Sequence, residues 1–572
     1  MEPIGQTWIG EMKYWGKWDL SHYDDVKKRA VGIYEHLRSK AMPVTRNPDH
    51  YWPESALEIF RNWVNHGFPK DRTAEHTKSP VPAIPEPVDS PVSYRVRRDI
   101  MSMSREELVK YQTKLDDVLK VREVGPRIKW QELGILHAYW CLHYQEATFM
   151  WHRAYLRFVE ELIDYPIPYW NGFAKEAACP ISKFAGIPPM FLEETYQHPS
   201  GETRPNPLRF AKALNGKSKD GTSTTVTRDP ILTQGPSAKG WKEKIELFKI
   251  YHDQISHALQ QKTYTTSESA QLFGVPWANI TEFSDNQPSE KYPYRFDFDG
   301  LFEQVHDNFH GWIGPDMADN TFTAFDPIFM SYHANMDRLA GVFMDTNPEN
   351  QFTSRFPLQP FINNGTEIDY DDPRRWRYTT IGDMAKDTRA LGYMYGEPAS
   401  PDFSTCKTTE EKGVHRSVPS GGKAIVLPIG LPGQDKKTIV TNSLMAPFQK
   451  ALIPYVIFTD VGCTTSSYRI DVFTGNAESV IPDVGGNPDF IGQVTRLGMG
   501  TGKGGSGPPN ASRCRRPTAT RVLPADRFKD RLSKAGGLKI TVTNLETGRQ
   551  LDKGEYKLMS GFVPKLVWLA DN

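Results

Sequence analysis

Cysteine is scarce in this chain of 572 residues: Cys141, Cys179, Cys406, Cys463 and Cys514 are scattered, and no C-x-x-C pair occurs. That excludes a dense disulfide scaffold, a zinc ribbon and a thioredoxin-like redox motif. An excess of either charge is missing too. With 69 basic residues against 69 acidic ones, no global field draws the chain to nucleic acid or to an anionic membrane, so a small neutral partner is expected. No run of eighteen apolar residues occurs, so no helical membrane span is expected. The opening "MEPIGQTWIGEMKYWGKWDL" has no basic stretch followed by an apolar one, and the chain is therefore expected to be cytoplasmic. In that setting the N-x-Ser/Thr matches at Asn279, Asn364 and Asn510 read as chance. No fixed-period repeat is visible.

What is present divides into three textures. Residues 22–66 carry apolar positions at three- and four-residue steps, and Ser104 opens a further helix through the Ser-x-x-Glu box of "SREELVKYQTKLDDVLK". Between them, five prolines in "KSPVPAIPEPVDSPVS" (78–93) exclude helix and predict an extended connector. Residues 1–120 thus read as a helical extension. From 121 to 395 the signals are mainly helical, broken by polar loops such as 214–230. Tyr155, Phe158, Val159 and Leu162 form one helical stripe, stopped by Pro166. Leu301, Phe302, Val305 and Phe309 form another, ending at Gly311 or Gly314. After a linker at 396–424, residues 425–572 change to short β-branched runs between turn residues: "KAIVLPI", "KKTIVTN", "YVIFTDV", "YRIDVFT", "LKITVTNL" and "PKLVWLA". This predicts an all-β, sandwich-like domain. Within it, 484–512 reads as a glycine-rich loop whose "GKGGSG" lacks the order of a phosphate cradle.

The histidines are unevenly spent. Of fifteen, three fall in "HAYWCLHYQEATFMWH" (137–152). His306 and His310 are four apart, so a helix would present both on one face, as a metal site requires. Alone, such a pair is equally a surface or core pair; here both lie beside an apolar stripe. His333, in "TAFDPIFMSYHANMDRL", is a natural third ligand, with Asp326 expected to cap the following helix. His137, His143 and His152 make the other half. Three plus three is the arrangement expected for two metals sharing one small ligand. His22, His36, His50, His66, His76, His198 and His415 sit in charged or loop contexts, and His252 and His257 are five apart; these nine read as solvated or structural.

These residues carry a resemblance. "WHRAYLRFVEEL", and "HDNFHGWIGPDM" followed by "FDPIFMSYHANMDRL", resemble the metal-site motifs of the type-3 copper superfamily: tyrosinases, catechol oxidases and molluscan-type haemocyanins. "HAYWC", "PYW" (168–170) and the nine-residue step from His143 to His152 are similar as well, and "SSYRIDVFTG" resembles the C-terminal domain of plant and molluscan members. The resemblance implies a mainly α, four-helix-bundle dinuclear metal domain. His137, His143 and His152 would bind one copper ion and His306, His310 and His333 the second. Cys141, two residues before His143, would form a thioether to that imidazole. The implied reaction oxidises phenols or o-diphenols to o-quinones, with dioxygen and a small aromatic substrate as partners.

Three departures from the family pattern stand out. Only five residues separate His137 from His143, residue 332 is Tyr where most members have a second His, and Asp307 follows the fourth ligand. Asp307 is a candidate base, or a partner for Arg338 or Arg153; Glu303, almost one turn before His306, is a candidate acceptor for a ligand imidazole. Asp326 and Asp337 are expected to hold Arg153 or Arg338. The departures leave open a zinc-dependent, non-redox member resembling the fungal haemocyanin-like cyclopenases, which convert a benzodiazepinedione epoxide to a quinolone. An oxygen carrier is the third alternative.

Overall fold

The computed structural model describes residues 21–30, 52–70, 95–120, 127–141, 147–214, 223–261, 298–347, 384–399, 425–428, 452–462, 464–475, 487–498, 519–534, 537–552 and 562–570, with Ile33, Tyr34, Leu37, His143, Gly221, Tyr264, Gly554 and Glu555 between them. The proline-rich connector at 78–93, residues 400–424 of the linker, the run "KKTIVTN", the "GKGGSG" segment, all three glycosylation-like sites and His36, His50, His76 and His415 lie outside the described residues.

Ten helices are described: α1 (Tyr23–Lys28), α2 (Glu54–Asn65), α3 (Arg105–Leu119), α4 (Lys129–Trp140), α5 (Ala147–Ile163), α6 (Pro230–Gln234), α7 (Trp241–Leu259), α8 (Phe298–Ile313), α9 (Ile328–Thr346) and α10 (Lys529–Lys534). The strands are β1 (Arg95–Arg97), β2 (Thr195–Gln197), β3 (Thr203–Pro205), β4 (Tyr393–Tyr395), β5 (Ile425–Pro428), β6 (Leu452–Val461), β7 (Tyr468–Thr474), β8 (Phe490–Arg496), β9 (Ala519–Pro524), β10 (Leu538–Asn544), β11 (Gln550–Leu551) and β12 (Val563–Ala570).

Local rules account for several ends. Ser104 Oγ accepts from the Glu107 amide and the Glu107 carboxylate accepts from the Ser104 amide at 2.8 Å, the reciprocal box that starts α3. Asp326 accepts from the Ile328 amide at 2.9 Å and so supports the first turn of α9, although Pro327 holds the cap position itself. α8 stops where Gly314 turns to positive φ.

Packing redraws the boundary at 120. α1 and α2 share a small core of their own around Ile33, Tyr34, Phe60 and Val64. α3, read as part of the extension, instead sends Leu108, Tyr111, Leu115 and Leu119 into the main core with α4, α5, α7, α8 and α9. The stripes on α5 and α8 are also not the whole story, since both helices are buried nearly all round. On α5 the charged back is neutralised internally. Arg97 on β1 donates to Glu160 at 2.6 Å and to Asp337 at 2.9 Å, Arg153 donates to Asp337 at 2.5 Å, and Tyr393 on β4 donates to the same carboxylate at 2.6 Å. A buried ionic network of this kind survives only when every member is paired. It ties α5 to α9 through the parallel β1–β4 pair.

The C-terminal residues form two four-stranded antiparallel sheets, ordered β11-β10-β7-β8 and β5-β12-β6-β9. One apolar cluster draws on both, with Val456, Phe458 and Trp568 from one sheet and Ile470, Val472 and Val494 from the other. One expectation needs correcting. Residues 490–496, read as part of a glycine-rich loop, are strand β8, because "FIGQVTR" is paired along its length with β7 and its glycine sits against Leu523. Cys179 is disulfide-bonded; five cysteines exclude a dense framework but not a single bridge.

Candidate metal centre

The six histidines predicted from spacing come together. His137 lies on α4, His143 in the join to α5, His152 on α5, His306 and His310 on α8, and His333 on α9. All six are at most 3% exposed. Within His137/His143/His152, and again within His306/His310/His333, one nitrogen from each ring lies within 4.8 Å of the others. The Nε2 atoms of His137 and His152 are 3.3 Å apart, those of His306 and His333 3.0 Å, and those of His306 and His310 2.9 Å. The two halves adjoin, as His152 and His333 stack with centroids 4.6 Å apart.

Outer nitrogens face fixed acceptors. Nδ1 of His152 donates to the Thr148 carbonyl at 2.6 Å, Nδ1 of His333 to the Phe329 carbonyl at 2.9 Å, and Nδ1 of His310 to the Met317 carbonyl at 2.9 Å. Such bonds place the proton on Nδ1 and leave the Nε2 lone pair pointing inward. Burial also lowers the basicity of these rings. His152 falls to about 4, chiefly through desolvation and partly offset by its bond to Thr148; His310 falls to about 3, again chiefly through desolvation. His306 and His333 are pushed well below the ordinary range by burial and by their neighbouring imidazoles. Neutral, dry and tautomer-fixed, the donor set fits a pair of ions that favour imidazole, copper or zinc among them.

Glu303 accepts from a ligand imidazole, as expected of it, but from one on the other triad. Glu303 accepts from Nδ1 of His143 at 3.2 Å, so a carboxylate on α8 reaches across to the other triad instead of serving a ring on its own helix. Thr148 donates to the same oxygen at 3.4 Å. The Asp307 carboxylate lies 3.0 Å from Nδ1 of His306, where it orients that ring. Arg153 is held by Asp337, and Arg338 by Asn335 and Asn171. Asp326 holds Arg228 through two bonds of 2.7 and 2.8 Å, correcting the expected Arg153 or Arg338. Burial opposes ionisation of Asp337, but Arg153 and Arg97 overcome it and hold that carboxyl below its usual range.

Three residues at the site had no prior role. Phe329 stacks on His333 at 3.8 Å and meets His137 edge-on at 4.6 Å, walling both triads; it lies in "FDPIF" at the head of the His333 segment, the signal that could have named it. Tyr332 stacks on His306 at 5.7 Å and donates its hydroxyl to the His306 carbonyl at 3.1 Å, so it fills the place beside the ring without offering a nitrogen. Asn320, buried in the loop after α8, lies 3.0 Å from His143 Nε2 and 3.0 Å from Cys141 Sγ. No local pattern marked it. Of the rejected histidines, His66 bonds to the Asn62 carbonyl, His198 to Ser200 and Asp117, and His252 to the distant Phe173 carbonyl, while His257 packs near Tyr455.

Residues 113–346 match the common central domain of tyrosinase. Unit D of the haemocyanin β-C chain of Helix pomatia is 27% identical over 244 residues, covering 39% of this chain and 45% of that one. A tyrosinase of Podospora anserina is 25% identical over 320 residues, covering 49% and 54% respectively. Polyphenol oxidase 4 of Agaricus bisporus is 24% identical over 309 residues, covering 47% and 46%. The chain thus spans about half the length of these curated relatives. Among solved structures, deoxygenated haemocyanin from Rapana thomasiana superposes with a TM-score of 0.51 at 15% identity, covering 84% of this chain and 99% of that one. The tyrosinase from Burkholderia thailandensis gives 0.50 at 16%, covering 83% and 100%. At these identities the structural likeness speaks for the fold.

Proposed function

We propose that this chain, whose segment 113–346 belongs to the tyrosinase family, holds two copper ions and oxidises a phenol or o-diphenol to an o-quinone with dioxygen. His137, His143 and His152 would hold one ion and His306, His310 and His333 the other. The convergence of two buried imidazole triads with 2.9–3.3 Å between facing Nε2 atoms carries this reading. When bound, the copper pair supplies the redox capacity: two o-diphenols deliver four electrons and four protons to one dioxygen, giving two o-quinones and two waters.

The chain's own contribution is geometric and dielectric. Backbone carbonyls of Thr148, Met317 and Phe329 fix three tautomers, Glu303 and Asp307 orient His143 and His306, and Phe329, Tyr332 and Phe149 keep the surroundings apolar. Outside the centre, the two sheets and the cluster between them support reading residues 425–572 as a sandwich-like domain.

Metal analysis of the purified chain combined with catechol turnover tests the proposal. Two coppers per chain, oxygen uptake and quinone absorbance are expected. Zinc with neither oxygen uptake nor quinone would overturn it. That outcome would favour the non-redox alternative.

A further inference from the structure

We propose that Asn320 is a positioning residue that competes with metal for His143 and makes the first triad the weaker, later-filling of the two sites; this rests on the metal reading above. Five of the six imidazoles turn Nε2 toward another imidazole. His143 Nε2 lies 3.0 Å from Oδ1 of the Asn320 side chain. The opposite edge of the ring is taken by Glu303, 3.2 Å from Nδ1.

A neutral imidazole has one N–H and one lone pair. With Glu303 as the acceptor at Nδ1, the proton resides there and the lone pair at Nε2 faces Asn320. Oδ1 and the Nε2 lone pair are both acceptors, so the bond is made with the amide turned over, its N–H toward Nε2 and its oxygen toward the Cys141 thiol, whose Sγ lies 3.0 Å from one end of the amide and 3.4 Å from the other. Asn320 is fully buried, and no bulk water reaches it to replace a bond lost on metal entry. Metal at the first triad must therefore displace a made hydrogen bond. At the second triad, among the described residues, the facing Nε2 atoms meet one another and no protein donor has to leave.

The test uses the full-length chain stripped of metal and titrated with zinc(II) against a chromophoric chelator, so that affinity is read without turnover. Wild type is expected to fill in two steps, and His143→Ala to remove the weaker one. Asn320→Ala should tighten the weaker step by about tenfold and leave the stronger step in place. Asn320→Ser, which keeps a small polar group, should give an intermediate shift and guards against a folding defect, checked by the melting temperature of the metal-free form. An unchanged weaker step in both variants, or equal shifts in both steps, would overturn the role of Asn320 while leaving the metal reading intact. Failure of wild type to take up metal at all would overturn both.

Discussion

Gln304 and Val522 pair as two backbone strands do: the Gln304 amide nitrogen donates to the Val522 carbonyl at 2.7 Å, and the Val522 N–H donates to the Gln304 side-chain oxygen at 2.8 Å. One turn later Asn308 repeats the device on the other sheet, donating to the Gln493 carbonyl at 3.0 Å and accepting from the Thr495 N–H at 2.7 Å. Gln304 and Asn308 are spaced four apart, as are His306 and His310. A single helix thus turns two imidazoles toward the metal centre and two amides toward the C-terminal sheets.

Removing those amides should loosen the sheets from α8. Gln304→Ala and Asn308→Ala each leave a buried strand N–H and carbonyl without partners, a loss of about 1–3 kcal/mol apiece. Urea denaturation monitored by circular dichroism should show lower midpoints for each. Unchanged midpoints would mean that apolar packing alone holds the sheets there.

Asp337 takes bonds from Arg97, Arg153 and Tyr393. Replacement by Leu leaves two buried guanidinium groups short of a carboxylate and should destabilise the chain by about 3–5 kcal/mol. Because the network joins α5 to α9, metal content measured after purification should fall as well, as His152 and His333 lose their common brace.

Glu303 acts through His143, so Glu303→Ala should weaken metal binding at the first triad by about 10–100-fold, measured by chelator competition. Glu303→Gln, which retains an acceptor oxygen, should recover part of the loss. Equal effects of the two variants would argue for packing as the cause.

In the metal-free chain, His152 and His310 are held at about 4 and about 3, below the ordinary histidine value of 6.5. The unfolded chain therefore binds more protons once pH drops below about 6.5, and folding stability is lost progressively down to about pH 4 for His152 and about pH 3 for His310. Melting temperatures of the metal-free protein across this window should fall with pH. Loading metal should flatten the profile, because a ligating nitrogen cannot take a proton.

Copper loading in air is expected to join Cys141 to His143 as a thioether, with dioxygen as the oxidant and loss of two hydrogens. Peptide mapping would show the cross-linked pair lighter by two hydrogens. Recovery of alkylated Cys141 from copper-loaded, oxygen-exposed protein would rule the cross-link out.

The helical positions of His306 and His310, the Ser104 box, Gly314 as a stop and five of the predicted C-terminal strands were legible because each follows from spacing or from one residue's backbone preference. β8 was not: a glycine inside "FIGQVTR" and the glycines around it resembled a loop until β7 supplied partners for its backbone. α3 shows the same limit at domain scale. Its apolar stripe demanded a partner, and nothing local said whether α1 and α2 or the histidine helices would supply it.

By itself, the sequence determined that six histidines lie where helices can gather them into threes, because ligand type and the 3.6-residue period act over a single turn. Only the tertiary structure decided which carboxylate serves which ring. Glu303 reaches His143 160 positions away, Asp307 turns to His306, and Asn320 touches both His143 and Cys141. Such pairings depend on how separate helices and loops approach one another, a distance that no local pattern encodes.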